Sequence, residues 1–152
     1  YHTWHAKDAI LVREGMPRLD LLDGGAIDFR GGRRRHELEV QAGAFRRGLG
    51  ARVTANWQSG TRVRGTDGTD GELRFSDLTT VNINLFANLS DQFGGAAAPR
   101  WVKGARATFG ITNLFNTRGT VRDATGSTPL SYQPAYTDPL GRLVSFSLRK
   151  RF

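Results

Sequence analysis

Several stretches of the chain alternate between apolar and polar residues with a period of two. In residues 36–46, Leu38, Val40, Ala42 and Ala44 share one parity, while Glu37, Glu39, Gln41 and Gly43 share the other. Residues 49–58 repeat the arrangement, with Leu49, Ala51, Val53, Ala55 and Trp57 set against Gly50, Arg52, Thr54, Asn56 and Gln58. Such a period predicts strands with one apolar face, and the Arg47-Gly48 pair between them predicts a tight hairpin turn. The clearest alternation runs over residues 81–90, where Val81, Ile83, Leu85, Ala87 and Leu89 oppose Asn82, Asn84, Phe86, Asn88 and Ser90. A further strand sets Ala105, Ala107, Phe109 and Ile111 against Arg106, Thr108, Gly110 and Thr112. The last one places Val144, Phe146, Leu148, Lys150 and Phe152 opposite Ser145, Ser147, Arg149 and Arg151. Residues 1–12 mix aromatic, β-branched and polar residues and are read as a strand despite poor alternation.

The connections differ in length. Residues 13–32, 59–77 and 117–141 are long and rich in Gly, Ser, Thr, Asp or Pro, whereas 47–48 and 91–101 are shorter. Loops of the first length are uncommon in compact soluble domains. The second of them repeats Thr-Asp-Gly at residues 66–68 and 69–71, which predicts turns; its acids lack the spacing of an EF-hand loop.

No window approaches about 18 consecutive apolar residues, so a transmembrane helix is not expected, but alternating strands hide their apolar content from such a window. The absence of cysteine removes disulfides, thiolate zinc sites and cysteine nucleophiles. A net charge of +8 raises nucleic acid as a partner. The charges argue against it: Arg46, Arg47, Arg100, Lys103, Arg149, Lys150 and Arg151 fall at strand ends, and no recognition helix or aromatic RNA-binding pattern accompanies them. His2 and His5 would point to opposite faces of a strand and lack a third ligand, so no metal and no cofactor are expected. No nucleophile elbow, paired-carboxylate spacing or phosphate loop is present, and the chain is not read as an enzyme.

Two short motifs then carry a resemblance. Asn113-Leu114-Phe115-Asn116 at the end of the penultimate strand, followed by Asp138-Pro139-Leu140-Gly141-Arg142 and a closing strand that ends on Phe152, resembles the C-terminal end of a TonB-dependent outer-membrane receptor. The segment from Gly15 to Gly24 also resembles an extracellular loop of some members. The resemblance implies an all-β fold of antiparallel transmembrane barrel strands. About six would be present here, from a barrel of about 22. Residues 1–152 would form the C-terminal segment of that one barrel domain, with the plug domain and signal peptide lying outside the chain.

It further implies a bacterial outer-membrane location and energised uptake of a scarce nutrient such as an iron–siderophore complex or a carbohydrate. The implied partners are outer-membrane lipid, the barrel assembly machinery and, through the plug, an energy-transducing TonB-type protein. Val144, Phe146, Leu148 and Phe152 would be the assembly signal. With Phe152 at the periplasmic face, the three long connections would be extracellular, the two shorter ones periplasmic, and the basic strand ends would meet phospholipid headgroups. Glu37, Glu39, Arg52, Arg106 and Arg149 would face the lumen. Arg33, Arg34 and Arg35 would meet lipopolysaccharide phosphates or an anionic ligand. Trp57 and Tyr1 near strand ends suit an interfacial aromatic belt. A smaller outer-membrane barrel, enzyme or porin, and a soluble β-sandwich interaction module are the alternatives.

Overall fold

The computed structural model describes residues 1–25, 31–64, 71–138 and 140–151. Eleven strands occur among the described residues, in chain order: β1 (His2–Trp4), β2 (Ala9–Ile10), β3 (Leu19–Asp20), β4 (His36–Arg46), β5 (Leu49–Gln58), β6 (Thr61–Val63), β7 (Leu73–Phe75), β8 (Leu78–Asn88), β9 (Ala105–Thr112), β10 (Val121–Arg122) and β11 (Leu143–Lys150). Two single-turn helices are added, α1 (Leu89–Gln92) and α2 (Pro134–Thr137). The six longer or flanking strands form one sheet in the order β1-β4-β5-β8-β9-β11. The pairings of β1 with β4, β8 with β9 and β9 with β11 are antiparallel. The chain divides into two compact units, and the division falls within β4, β5 and β8.

Unit 2 comprises Val40–Ala55, Thr80–Thr117 and Leu140–Phe152. Its first hairpin turns at Arg47 and Gly48, with φ of 49° and 79°. Positive φ at both central residues is what a two-residue hairpin needs to follow the strand twist. Helix α1 holds this turn: Asn88 N–H donates to Gly48 O at 2.7 Å, and the Gln92 side-chain amide donates to Arg47 O. The connection from 91 to 101 is therefore structured rather than a plain loop. Asn88 caps α1, and Ser90 Oγ ties it to the next strand by donating to Val102 O at 3.1 Å and accepting from Gly104 N–H at 3.0 Å. Ala98, Val102 and Ala105 are buried there. They are a small core, too small to support the long strands beside it.

Register follows the alternation. Across β9 and β11, Ile111 faces Val144, Phe109 faces Phe146 and Ala107 faces Leu148. Across β8 and β9, Ile83 faces Ile111, Leu85 faces Phe109 and Ala87 faces Ala107. A one-residue slip would exchange the apolar set for the polar one, so this register is strongly specified wherever one face is desolvated.

Unit 1 comprises Tyr1–Glu39, Asn56–Thr79 and Arg118–Pro139. All three long connections lie largely in it, and their described residues carry short strands of their own. β6, β7 and β10 form a three-stranded sheet in the order β10-β7-β6, and β2 pairs with β3. Thr61 and Val121 both face Phe75, so two connections remote in sequence meet on one short strand. The Phe75 ring packs edge-on to Tyr132 at 5.5 Å. The expected strand over residues 1–12 is broken into β1 and β2, in keeping with its poor alternation. The Thr-Asp-Gly repeat lies mostly outside the described residues, as do Pro139 and Phe152.

Candidate functional site

The two faces of the unit 2 sheet are chemically opposite. On the apolar face, Val144, Phe146 and Leu148 are 57, 70 and 62% exposed, and Val40, Leu49, Val53, Leu85 and Phe109 are exposed with them. Among the described residues the buried apolar side chains are only Ala98, Val102, Ala105 and Val121. Complete burial of each Phe, Leu or Val would be worth about 1.5–3 kcal/mol. Long strands thus present their hydrophobic residues outward and leave that free energy to whatever medium covers them.

The more polar face carries Arg52, Arg106 and Arg149, small and polar residues, and the rings of Phe45 and Phe86. Gly50 allows the Phe86 ring to lie over the backbone: a Cβ there would sit 2.1 Å from the ring. Phe86 stacks with Phe45 at 5.9 Å, and the Arg106 guanidinium lies 5.0 Å from its centroid. Arg106 and Arg149 are direct cross-strand partners, a like-charge opposition that costs stability in a sheet. Stacking on Phe86 returns part of that cost to Arg106. Asp91 is the sole acidic residue of unit 2, and it is engaged by the Asn88 amide at 2.9 Å beside the first hairpin turn. Glu37 and Glu39 belong to unit 1 and are exposed. No ion pair joins any of these five residues among the described ones.

The Asn113-Leu114-Phe115-Asn116 motif receives a structural account. Asn113 and Asn116 both adopt left-handed backbone, with φ of 53° and 55°. Asn is among the few side chains that tolerate this region, because its short amide bonds locally. Asn113 is 6% exposed, and its amide closes a ring with Thr117 by donating to Thr117 O at 2.8 Å and accepting from Thr117 N–H at 2.9 Å. Asn82 Oδ1 accepts from Asn113 N–H at 2.9 Å. Asn116 Oδ1 accepts from Arg142 N–H at 3.0 Å, which sets the chain for entry into β11.

In unit 1 the Arg33-Arg34-Arg35 run is split by the extended backbone. Arg33 and Arg35 line a groove of about 500 Å³ together with His36, Arg62 and Arg74, while Arg34 is absent from it. Arg34 is half-buried, and desolvation lowers its pKa while the nearby Glu37 opposes the shift. Arg62 and Arg74 were not singled out by sequence reasoning. Their signal was a basic residue in the middle of each of two short apolar triplets, Thr61-Arg62-Val63 and Leu73-Arg74-Phe75, which places both on one face once the triplets pair. His2 meets His36 rather than His5, with Nε2 and Nδ1 3.4 Å apart. No cluster of three or more metal-ligating side chains occurs among the described residues.

A second turn in unit 1 is organised by Asp123. Its Oδ1 accepts from Thr125 Oγ1 at 2.6 Å and from the N–H groups of Thr125 and Ser127, each at 2.9 Å. These bonds, the Thr125 hydroxyl first, hold its pKa below the ordinary aspartate value against the opposing effect of desolvation. A depressed folded pKa means that the contribution is present above the unfolded pKa and is lost as pH falls through the folded one. NMR titration is expected to find the Asp123 carboxyl titrating below a random-coil aspartate, with the Thr125 and Ser127 amides shifting in step. In Asp123→Ala that acid-dependent step should vanish.

Six strands in one sheet, with β1–β4, β8–β9 and β9–β11 antiparallel and the two faces of unit 2 opposite in polarity, define the class: a mostly β, antiparallel sheet protein. No protein-family model matches the chain, and comparison with curated proteins and with solved structures gives no match.

Proposed function

We propose that these strands are lipid-facing wall of a bacterial outer-membrane β-barrel, and that the chain is the C-terminal part of the barrel of a TonB-dependent receptor for a scarce nutrient. The observation that carries the membrane reading is the outward apolar face of unit 2, whose large side chains stay exposed while the opposite face is polar. In water that face would be an aggregation surface; in hydrocarbon it is the matched one. Strands of 8 to 11 residues have the length for a tilted crossing. The alternation along the chain of long connections (residues 13–32, 59–77 and 117–141) with shorter ones (47–48 and 91–101) is the loop asymmetry expected of outer-membrane barrels. The receptor assignment within that class rests on the resemblance of the Asn113 to Asn116 motif and the closing strand.

In this reading outer connections capture ligand, a plug gates the lumen, and energy arrives through a TonB-type partner. Val144, Phe146 and Leu148, with Phe152, serve barrel assembly, and Arg52, Arg106 and Arg149 face the lumen or the plug. The full chain is expected to aggregate in plain buffer and to acquire β-type circular dichroism only with detergent micelles or lipid. A soluble, folded monomer in buffer would overturn the membrane reading in favour of a β-sandwich module.

A further inference from the structure

We infer that the groove lined by Arg33, Arg35, His36, Arg62 and Arg74 is a binding site for a phosphomonoester group, supplied either as free phosphate or as the headgroup of a phosphorylated saccharide lipid. The groove lies wholly within unit 1 and holds about 500 Å³, ample for a tetrahedral oxyanion and an attached ring. Its charge is not balanced among the described residues. Four guanidinium groups line it, and two carboxylates outside its wall pair with them: Asp8 with Arg33 at 3.5 Å, and Glu72 with both Arg74 at 3.1 Å and Arg62 at 4.0 Å. Asp23, the acid on the wall, is occupied by a two-oxygen contact with Arg64 at 3.1–3.2 Å. Arg35 has no ion pair among the described residues.

The existing pairs are also easily redirected. The Arg62 and Arg74 side chains are 72 and 62% exposed, and pairs of that kind are worth about 0–1 kcal/mol. A multi-oxygen dianion offers each guanidinium a bidentate, charge-assisted contact that a shared Glu72 does not. The surplus of two positive charges among the described residues matches a phosphate dianion, whereas a single carboxylate would leave one uncompensated. Ser59 also lines the groove, and its Oγ accepts the His36 N–H at 3.1 Å, which leaves its hydroxyl proton free to donate. The backbone beneath is held by Ser59 N–H to His36 O at 2.9 Å and Arg33 N–H to Leu21 O at 2.7 Å, so Arg33, His36 and Ser59 are presented from a fixed frame.

The site does not depend on the membrane reading, and its test is separable from it. The full chain, folded in zwitterionic micelles and checked by circular dichroism, is titrated calorimetrically with inorganic phosphate, and in parallel with a phosphorylated glucosamine lipid in mixed micelles. Binding is expected to weaken about tenfold or more in the double variant Arg35→Gln with Arg62→Gln, the scale of losing a charge-assisted contact. Arg35→Lys should fall between, since charge is kept and the bidentate fork lost. The control Lys7→Gln with Arg142→Gln removes the same charge at positions outside the groove lining and should leave binding unchanged. Phosphate binding with this pattern establishes free anion as a source; binding of the lipid alone, with the same variant sensitivity, establishes the headgroup. If neither compound binds better than chloride, or if the control variant weakens binding equally, the proposal is overturned.

Discussion

Phe146→Arg is expected to destabilise the folded chain in micelles or bilayers by about 2–4 kcal/mol, while Ser147→Arg, one residue along the same strand, changes stability by less than about 1 kcal/mol. The two positions are neighbours on one strand but occupy opposite faces. Phe146 pairs with Phe109 on the apolar side and is 70% exposed; Ser147 pairs with Thr108 on the polar side. In a membrane the arginine at 146 would have to be desolvated or snorkel to an interface, whereas the one at 147 would join Arg149 in a hydrated environment. Denaturant unfolding followed by tryptophan fluorescence in micelles measures both. Equal costs at the two positions would show that the apolar face does not meet lipid.

Asn113→Ala should cost about 2–4 kcal/mol, more than any other single truncation at the end of β9. Three contributions combine. Two bonds to the Thr117 backbone disappear, each worth about 0.5–1.5 kcal/mol, and Thr117 N–H and O lose their partners in a half-buried turn. A left-handed φ of 53° costs an alanine about 1–2 kcal/mol that asparagine largely avoids. Asn113→Gly separates these effects: it relieves the backbone but not the lost bonds, and its cost should be about 1–3 kcal/mol. The same unfolding measurement decides, and an Ala variant as stable as the parent would exclude the structural role given to this residue.

The contrast between these two predictions shows which parts of the molecule were readable from the chain. Phe146 and Ser147 were assigned to faces by parity alone, and β4, β5 and β9 lie at the boundaries that parity and the Arg47-Gly48 turn imply. A period of two needs four or more residues to be detected, so β6, β7 and β10, of two or three residues, were invisible within the long connections. They exist because Phe75 finds partners from two distant segments. The basic groove behaves in the same way. Arg33 and Arg35 stood out as part of a run, but their separation from Arg34 and their meeting with Arg62 and Arg74 required the strands to be paired.

The chain alone is enough for β4, β5 and β9, the parity of the long strands, the hairpin turn at Arg47-Gly48 and the division of connections into long and short; the strand expected over 81–90 instead runs over Leu78–Asn88, because Leu89 and Ser90 enter α1. Those properties are local, because side-chain direction in a strand depends on parity and a two-residue turn depends on its own φ angles. Only the tertiary structure decided that the long connections carry their own small sheet, that Asn113 and Asn116 are turn-forming residues at the mouth of β9, and that scattered arginines converge on one groove. These features depend on contacts between residues tens of positions apart, and such contacts leave no periodic trace in the chain. The exposed apolar face belongs to both: alternation supplied it, and the absence of any described layer over it in unit 2 turned it into an argument about the medium.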